Sequence, residues 1–329
     1  MRIAIVGTEL CAVDAGGGGL EQVLRRWAAE LAARHEVIVV SHRPGGRPLV
    51  LDRDEPYATV AIDHADDLAG IEADVFSLHN RPQWAGSCAP AAAVGLTFHN
   101  YPAAWKSTAR TPPAARMSAV SAALAATAAI HFGVPVATVA PSIHPAFCRR
   151  RAWRPSRSVV SPNRLMRKKG VHELLDLARR PEFAAVRFDF ADLISPWLRP
   201  TAEHRELRAA IAAVPNAALF RPAPDPTALA ARYATAGVVV CAAQAPEGLG
   251  LVPLEAQAVG VAVVTTDVGG LREATFAPNV CVRTEALGPA LLDALERREP
   301  AEDARQAVLE RYAPAASATA FERWLTEVG

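Results

Sequence analysis

Short apolar runs ending in glycine or polar residues alternate along this chain with stretches whose apolar positions recur at helical spacing. Ile3 to Gly7 has the continuous apolar character of a buried strand, and Leu20, Val23, Leu24, Trp27 and Leu31 mark one face of a helix over 20–34. Glu36 to Ser41 then predicts a second strand. Strand, glycine-rich turn, helix, strand is the unit that builds parallel sheets covered by helices on both faces. Further strands are predicted at Val75–Leu78, Val94–Phe98, Met117–Val120 and Thr138–Ala140, with an alanine-rich helix over Ser121–Phe132.

The segment Pro141 to Pro155, with Arg149, Arg150 and Arg151 in a row, interrupts this alternation and is read as an interdomain linker. The alternation then restarts. Strands are predicted at Ser158–Ser161, Val186–Phe190, Ala217–Phe220, Val238–Cys241, Ala262–Thr265 and Val280–Arg283. Helices are predicted at Val171–Arg179, Ala202–Ala212, Pro226–Tyr233 and Pro253–Val259, and Pro289–Arg297, Glu302–Tyr312 and Pro314–Val328 close the chain. The pattern predicts an α/β protein of two doubly wound parallel-sheet domains, 1–145 and 156–311, followed by a C-terminal helix within 312–329. Its apolar face is Ala318, Phe321, Trp324, Leu325 and Val328. Ligands of such sheets bind at the carboxyl ends of the strands, so loops from both domains are expected to line a cleft.

Composition narrows the function. At 329 residues the chain suits two cores, and a formal net charge of +1 gives no global field for a polyanion, so nucleic acid is not an expected partner. No apolar stretch approaches the roughly 18 residues that a spanning helix needs, so no transmembrane segment is expected. The first apolar run is too short for a secretory signal, and the cytoplasm is the expected location. The cysteines, Cys11, Cys88, Cys148, Cys241 and Cys281, are odd in number and widely spaced, and read as reduced core residues. Lysine is rare: Lys106, Lys168 and Lys169 are the three in the chain, and two of them adjoin Gly170. A lysine kept where arginine is the habit hints at a compact point charge.

Three loops carry candidate chemistry. Gly16, Gly17, Gly18 and Gly19 lie between the first strand and the first helix, where bare backbone can approach an anion at a helix start. The dinucleotide fingerprint is not met, because Glu21 or Gln22 stands at the third glycine. In the loop from Ser161 to Gly170, Arg164 and Lys169 could converge on one diphosphate, Arg as a fork and Lys as a point charge; a solvated charge run is the alternative. In the third loop, Glu247 and Glu255 flank Gly248, Leu249, Gly250, Leu251 and Val252, whose amides could face a ligand before a helix begun by Pro253. Either carboxylate could pair with sugar or ribose hydroxyls without a metal. Glu255 could equally serve the helix dipole, and Glu247 could be a solvated loop charge.

Glu247 and Glu255 form the E-x(7)-E pattern, Thr265 to Glu273 resembles a "T-D-x-G-G-x-x-E" stretch, and Asn163-Arg164-Leu165 with Lys169-Gly170 resembles "G-R-L…K-G". Together with the glycine run before Leu20-Glu21, and in their order along the chain, the motifs resemble those of the retaining GT-B glycosyltransferases, the class with sucrose-, trehalose- and mannosyl-transferring enzymes. The resemblance implies a GT-B fold, with the C-terminal helix at 312–329 crossing back to the first domain, and transfer, with retention, of a hexose-type sugar from a nucleoside-diphosphate sugar to a hydroxyl of a small acceptor. It implies no cofactor and no metal, since the nucleotide sugar is a co-substrate; a homodimer is left open.

The same resemblance assigns the donor diphosphate to Arg164 and Lys169, the transferred sugar to Glu247 with the amides of Gly248 to Val252, and the ribose to Glu255. It assigns a donor loop to Gly16–Gly19 and the reaction centre to His99. A structural hydrogen bond is the alternative for His99, and His79 is a second candidate, read as structural. Trp84, Tyr101 and Trp105 are candidate stacking surfaces for an acceptor, or core aromatics. Asp52-Arg53-Asp54 spells D-x-D but is read as a solvated loop. The linker Pro141-Ser142-Ile143-His144 departs from the class pattern, as does Leu249 in its loop. Two rival readings share the architecture: a sugar-nucleotide isomerase, and a donor-binding subunit without activity of its own.

Overall fold

The computed structural model describes residues 1–7, 18–42, 55–101, 115–193, 200–222, 225–297 and 299–328. They form two compact units, one of Met1–Ser142 with Pro314–Gly329 and one of Ile143–Ala313. In the first, β1 (Arg2–Val6), β2 (Glu36–His42), β3 (Ala58–Ile62), β4 (Val75–His79), β5 (Ala93–Phe98), β6 (Ala115–Ala119) and β7 (Val136–Thr138) pair in parallel in the order β3-β2-β1-β4-β5-β6-β7. Central strands buried on both faces favour apolar side chains at successive positions. Ile3, Ala4 and Ile5 accordingly have no exposed surface.

In the second unit β8 (Ser158–Ser161), β9 (Arg187–Ala191), β10 (Ala217–Phe220), β11 (Val238–Cys241), β12 (Ala262–Thr266) and β13 (Val280–Val282) run parallel in the order β10-β9-β8-β11-β12-β13. Both orders reverse beside the first strand of the unit, between β1 and β4 and between β8 and β11. These are the switch points where crossovers part to opposite faces and leave a crevice at the strand ends. Two parallel-sheet α/β units are what the resemblance to the GT-B glycosyltransferases led us to expect.

Several elements differ from the sequence expectation. β3 was not anticipated; Ala-Thr-Val-Ala-Ile is half exposed and pairs on one side, as suits an edge strand with no continuous apolar run. β7 precedes the apolar residues Val139 and Ala140 on which a strand was expected. Its register with β6 runs from Val136 to Thr138, and the Val139 amide adds one more bond, to the Ala119 carbonyl at 2.9 Å. The Pro- and Arg-rich segment is not bare chain. His144 caps a single helical turn at Pro145–Cys148, accepting from the Ala146 amide at 3.1 Å, and Ile143 and Phe147 are buried within the second unit.

The last helix, Pro314–Val328, is built into the first unit. Phe321 stacks on Trp27 at 4.0 Å between ring centroids, Trp27 Nε1 donates to Ser317 Oγ at 2.7 Å, and Ser317 Oγ donates to the Ala140 carbonyl at 2.7 Å. Trp324 lies so close over β5 that a Cβ on Gly95 would overlap its ring.

Candidate functional site

Lys169 and Glu247 meet at the switch point of the second sheet. Lys169 ends a single 3-10 turn (Arg167–Lys169) after β8, and Glu247 lies in the loop after β11; their side chains form an ion pair, Nζ to Oε1. With side chains 14% and 23% exposed, both groups are partly withdrawn from solvent without being sealed. Gly170 makes the approach possible. It sits at φ 76°, and a Cβ there would overlap the Ala242 carbonyl oxygen, so a residue with a side chain would push the β8 loop away from the end of β11. The Gln244 amide donates to the Lys168 carbonyl at 2.9 Å and closes the same seam.

The Glu247 loop is clamped from its other side by the segment after β12. Glu247 bridges to Gly269, the Gly270 amide donates to the Glu247 carbonyl at 2.8 Å, and a Cβ on Gly269, at φ 60°, would collide with the Glu247 backbone. Thr266 Oγ1 donates to the Ala243 carbonyl at 2.6 Å. The glycines of Asp267-Val268-Gly269-Gly270 thus allow a backbone-to-backbone approach that holds Glu247. Asp267 itself is ion-paired with Arg272.

The helix after this loop spans Leu251–Val259, with Gly250 as its N-cap. It begins two residues before the expected start at Pro253, which occupies the first turn, where its missing N–H costs no helical bond. Leu251 and Val252 are therefore not loop residues: their amides are the unpaired donors of a helix N-terminus, and Gly248, Leu249 and Gly250 form the tight approach to it. Glu255 lies beyond the first turn, which removes the dipole role considered for it. Gln257 fixes the helix from beneath, donating to the Pro253 and Ala274 carbonyls at 2.7 and 2.6 Å.

Arg164 is exposed, whereas its neighbour Leu165 is buried and anchors the loop. Tyr233 was not singled out by the sequence. It is wholly buried, its hydroxyl has no hydrogen-bond partner, and burial first, then the carboxylate of Glu255, pushes its ionisation well above the ordinary range. A tyrosine inside a helical apolar face gives no sign in sequence that its hydroxyl will be left unpaired. Burial likewise raises the Cys241 thiol to about 12, so it stays protonated.

His99 directly follows β5 in the first unit. Its backbone N–H donates to Asn80 Oδ1 at 2.8 Å, and its Nε2 lies 3.0 Å from Nδ1 of His79, the last residue of β4. The two histidines singled out separately are therefore one buried pair. Burial lowers His99 to about 3, and burial followed by the proximity of His99 lowers His79 well below the ordinary imidazole range. Trp84 is buried between His42 and Arg81, so it is core rather than an open stacking surface. Gly18 is the N-cap of the first helix (Gly19–Leu31). Gly16, Gly17, Trp105, Asp52 and Asp54 lie outside the described residues, within which no three His, Cys, Asp or Glu side chains gather to hold a metal ion.

The comparison with known families decides the class of the second unit, since residues 153–309 match the family described as Glycosyl transferases group 1. The second unit is a group 1 glycosyltransferase domain. Among solved structures the whole chain resembles a glycosyltransferase from Rickettsia africae, at 18% identity and a TM-score of 0.79, covering 99% of this chain and 98% of that one. It also resembles the sucrose-phosphate synthase of Thermosynechococcus elongatus, at 16% identity and a TM-score of 0.78, over 99% and 98% of the two chains. A third is HepE of Anabaena, solved in complex with UDP-glucose, at 16% identity and a TM-score of 0.73, over 99% and 100%. At such identities the likeness speaks to the fold. Among curated proteins none matches the chain by sequence. The group 1 domain contains both Lys169 and Glu247.

Proposed function

We propose that this chain moves a hexose-type sugar from a nucleoside-diphosphate sugar to a hydroxyl of a small acceptor, with retention and without a metal ion. The observation that carries the proposal is the Lys169–Glu247 pair at the switch point of a group 1 domain, beside a helix N-terminus. As the sugar–phosphate bond breaks, negative charge gathers on the diphosphate. Lys169 as a point charge, Arg164 as a fork and the amides of Leu251 and Val252 offer it a fixed positive environment, the form of stabilisation that dominates much of catalysis. Glu247, held on Gly269 and Gly270, takes sugar hydroxyls beside the cation, and Glu255 takes the ribose. Gly248 to Gly250 let the donor approach the backbone. In the first unit His99 attends the reacting sugar, and Gly16 to Gly19 serve as the donor loop. Retention rests on the family resemblance.

UDP-glucose, the ligand of HepE, heads the panel of donors. The test is incubation of the protein with a panel of nucleotide sugars and small hydroxylated acceptors, reading release of nucleoside diphosphate. Acceptor-dependent release supports transfer. A rearranged nucleotide sugar without release of diphosphate identifies an isomerase instead, and binding without turnover identifies a donor-binding subunit.

A further inference from the structure

Ser77, His79 and His99 form a hydrogen-bonded row across β4 and β5. Ser77 Oγ lies 3.2 Å from His79 Nε2, and His79 Nδ1 lies 3.0 Å from His99 Nε2; Ser77 and His79 have no exposed surface. Neutral rings can carry protons along this row in two senses. In one, the Ser77 hydroxyl donates to His79 Nε2, His79 Nδ1–H donates to His99 Nε2, and His99 holds its proton on Nδ1. In the other every bond is reversed, the Ser77 oxygen accepts, and its own proton must find a different acceptor.

Among the described residues Ser77 Oγ has no second partner. A buried hydroxyl proton left unmatched costs about 1–3 kcal/mol, enough to favour the first sense by one to two orders of magnitude. Water could supply the missing acceptor, but the row is roofed by Trp27, whose ring centroid lies 5.9 Å from both imidazoles, and by Phe321 stacked upon it.

We propose that Ser77 and His79 are positioning residues that hold His99 as the neutral tautomer protonated on Nδ1, so that His99 meets the reacting sugar as a hydrogen-bond donor and not as a general base. The tautomer follows from the row itself; the action on the sugar rests on the reaction-centre reading of His99. Burial, which keeps both rings uncharged, acts in the same direction. The row also accounts for a serine and a histidine two positions apart on β4 facing a histidine that directly follows β5. A donor role needs a ring locked in one orientation, whereas a proton-accepting base would need its outer nitrogen bare.

The full-length protein labelled with 15N in its histidines tests this by long-range 15N–1H correlation, with His99 assigned through loss of its signals in His99→Gln. The expected wild-type spectrum shows a protonated Nδ1 and a bare Nε2 at His99, and the same at His79. A bare Nδ1 at His99 in the wild type overturns the proposal. Ser77→Asp supplies only an acceptor and should reverse the row, lowering kcat roughly three- to tenfold, the worth of one neutral hydrogen bond, with nucleoside diphosphate affinity unchanged. Where that variant does not fold, Ser77→Ala should let a bare-Nδ1 population appear; an unmoved tautomer in the folded variant overturns the role of Ser77. A protonated Nδ1 combined with full turnover in His99→Gln would instead remove His99 from the reaction centre, and with it the action on the sugar.

Discussion

Lys169 and Glu247, 78 positions apart in sequence, close an ion pair at the point where the second sheet reverses its strand order. The pair is possible because Gly170 lets the loop after β8 press onto the end of β11, and because Gly269 and Gly270 hold the Glu247 backbone from the far side. A cation and a carboxylate so fixed present opposite charges to a ligand whose leaving group is an anion and whose transferred group is a polyol.

Replacing Lys169 by Ala should weaken nucleoside diphosphate binding by about ten- to a hundredfold, the worth of a charge-assisted contact of about 1.5–3 kcal/mol. Arg164→Ala should act in the same direction. Arg164 is exposed and Lys169 partly so, so both variants should melt near the wild type. Calorimetric titration with the diphosphate is the measurement, and unchanged affinity in both variants would sink the diphosphate assignment.

Gly170→Ala and Gly133→Ala separate strain from collision. Both glycines lie at positive φ, 76° and 69°, but nothing approaches the Cβ position of Gly133, whereas at Gly170 it is taken by the Ala242 carbonyl. Gly133→Ala should cost about 1 kcal/mol, the left-handed penalty alone. Gly170→Ala should cost several times more and reduce donor binding with it. Equal melting temperatures in the two variants would show that the β8 loop tolerates displacement.

Acid should destabilise the first unit through its histidine pair. Both rings are depressed in the folded state, His99 to about 3 from an ordinary 6.5, so below pH 6.5 the unfolded chain takes up protons that the folded chain refuses. Their contribution to stability is complete above about 6.5 and is lost as pH falls towards the folded values. The slope should approach about 1.4 kcal/mol per pH unit for each group. Thermal melts from pH 7 to 4 check this, and His79→Gln should shallow the dependence; an unchanged slope would contradict the burial of the pair.

Phe321→Ala should destabilise by about 3–5 kcal/mol, as expected when a fully buried aromatic is removed. It also uncovers Trp27 and the rings beneath, so turnover should fall with stability. Wild-type melting in this variant, or in a chain ending at Ala313, would mean that the last helix does not complete the first unit.

Turnover should survive chelation, because Lys169, Arg164 and the helix amides are assigned the charge that a divalent ion would otherwise meet. Complete loss with EDTA, restored by magnesium or manganese, would turn attention to Asp52 and Asp54.

Much of the fold was legible because parallel strands buried on both faces favour apolar side chains at successive positions, and such runs stand out between helical periods. Ala202–Ala212, Val238–Cys241 and Glu302–Tyr312 lie where the pattern placed them. β3 was not legible, since an edge strand with one paired side and one wet face needs no such run. The early start of the Leu251–Val259 helix was hidden because proline in a first turn is compatible with more than one helix position.

By itself the sequence determined the α/β alternation, the glycine-flanked loops and the charged residues within them, because spacing and residue type are local properties of a chain. Only the tertiary structure decided that Lys169 pairs with Glu247, that His79 and His99 share one hydrogen bond, and that Trp84 is core. Each of these depends on which strands are neighbours. Strand order places β8 beside β11 and β4 beside β5, while Lys169 and Glu247 stand 78 residues apart in sequence and His79 and His99 stand 20 apart. No pattern within a single loop records which distant loop will lie beside it.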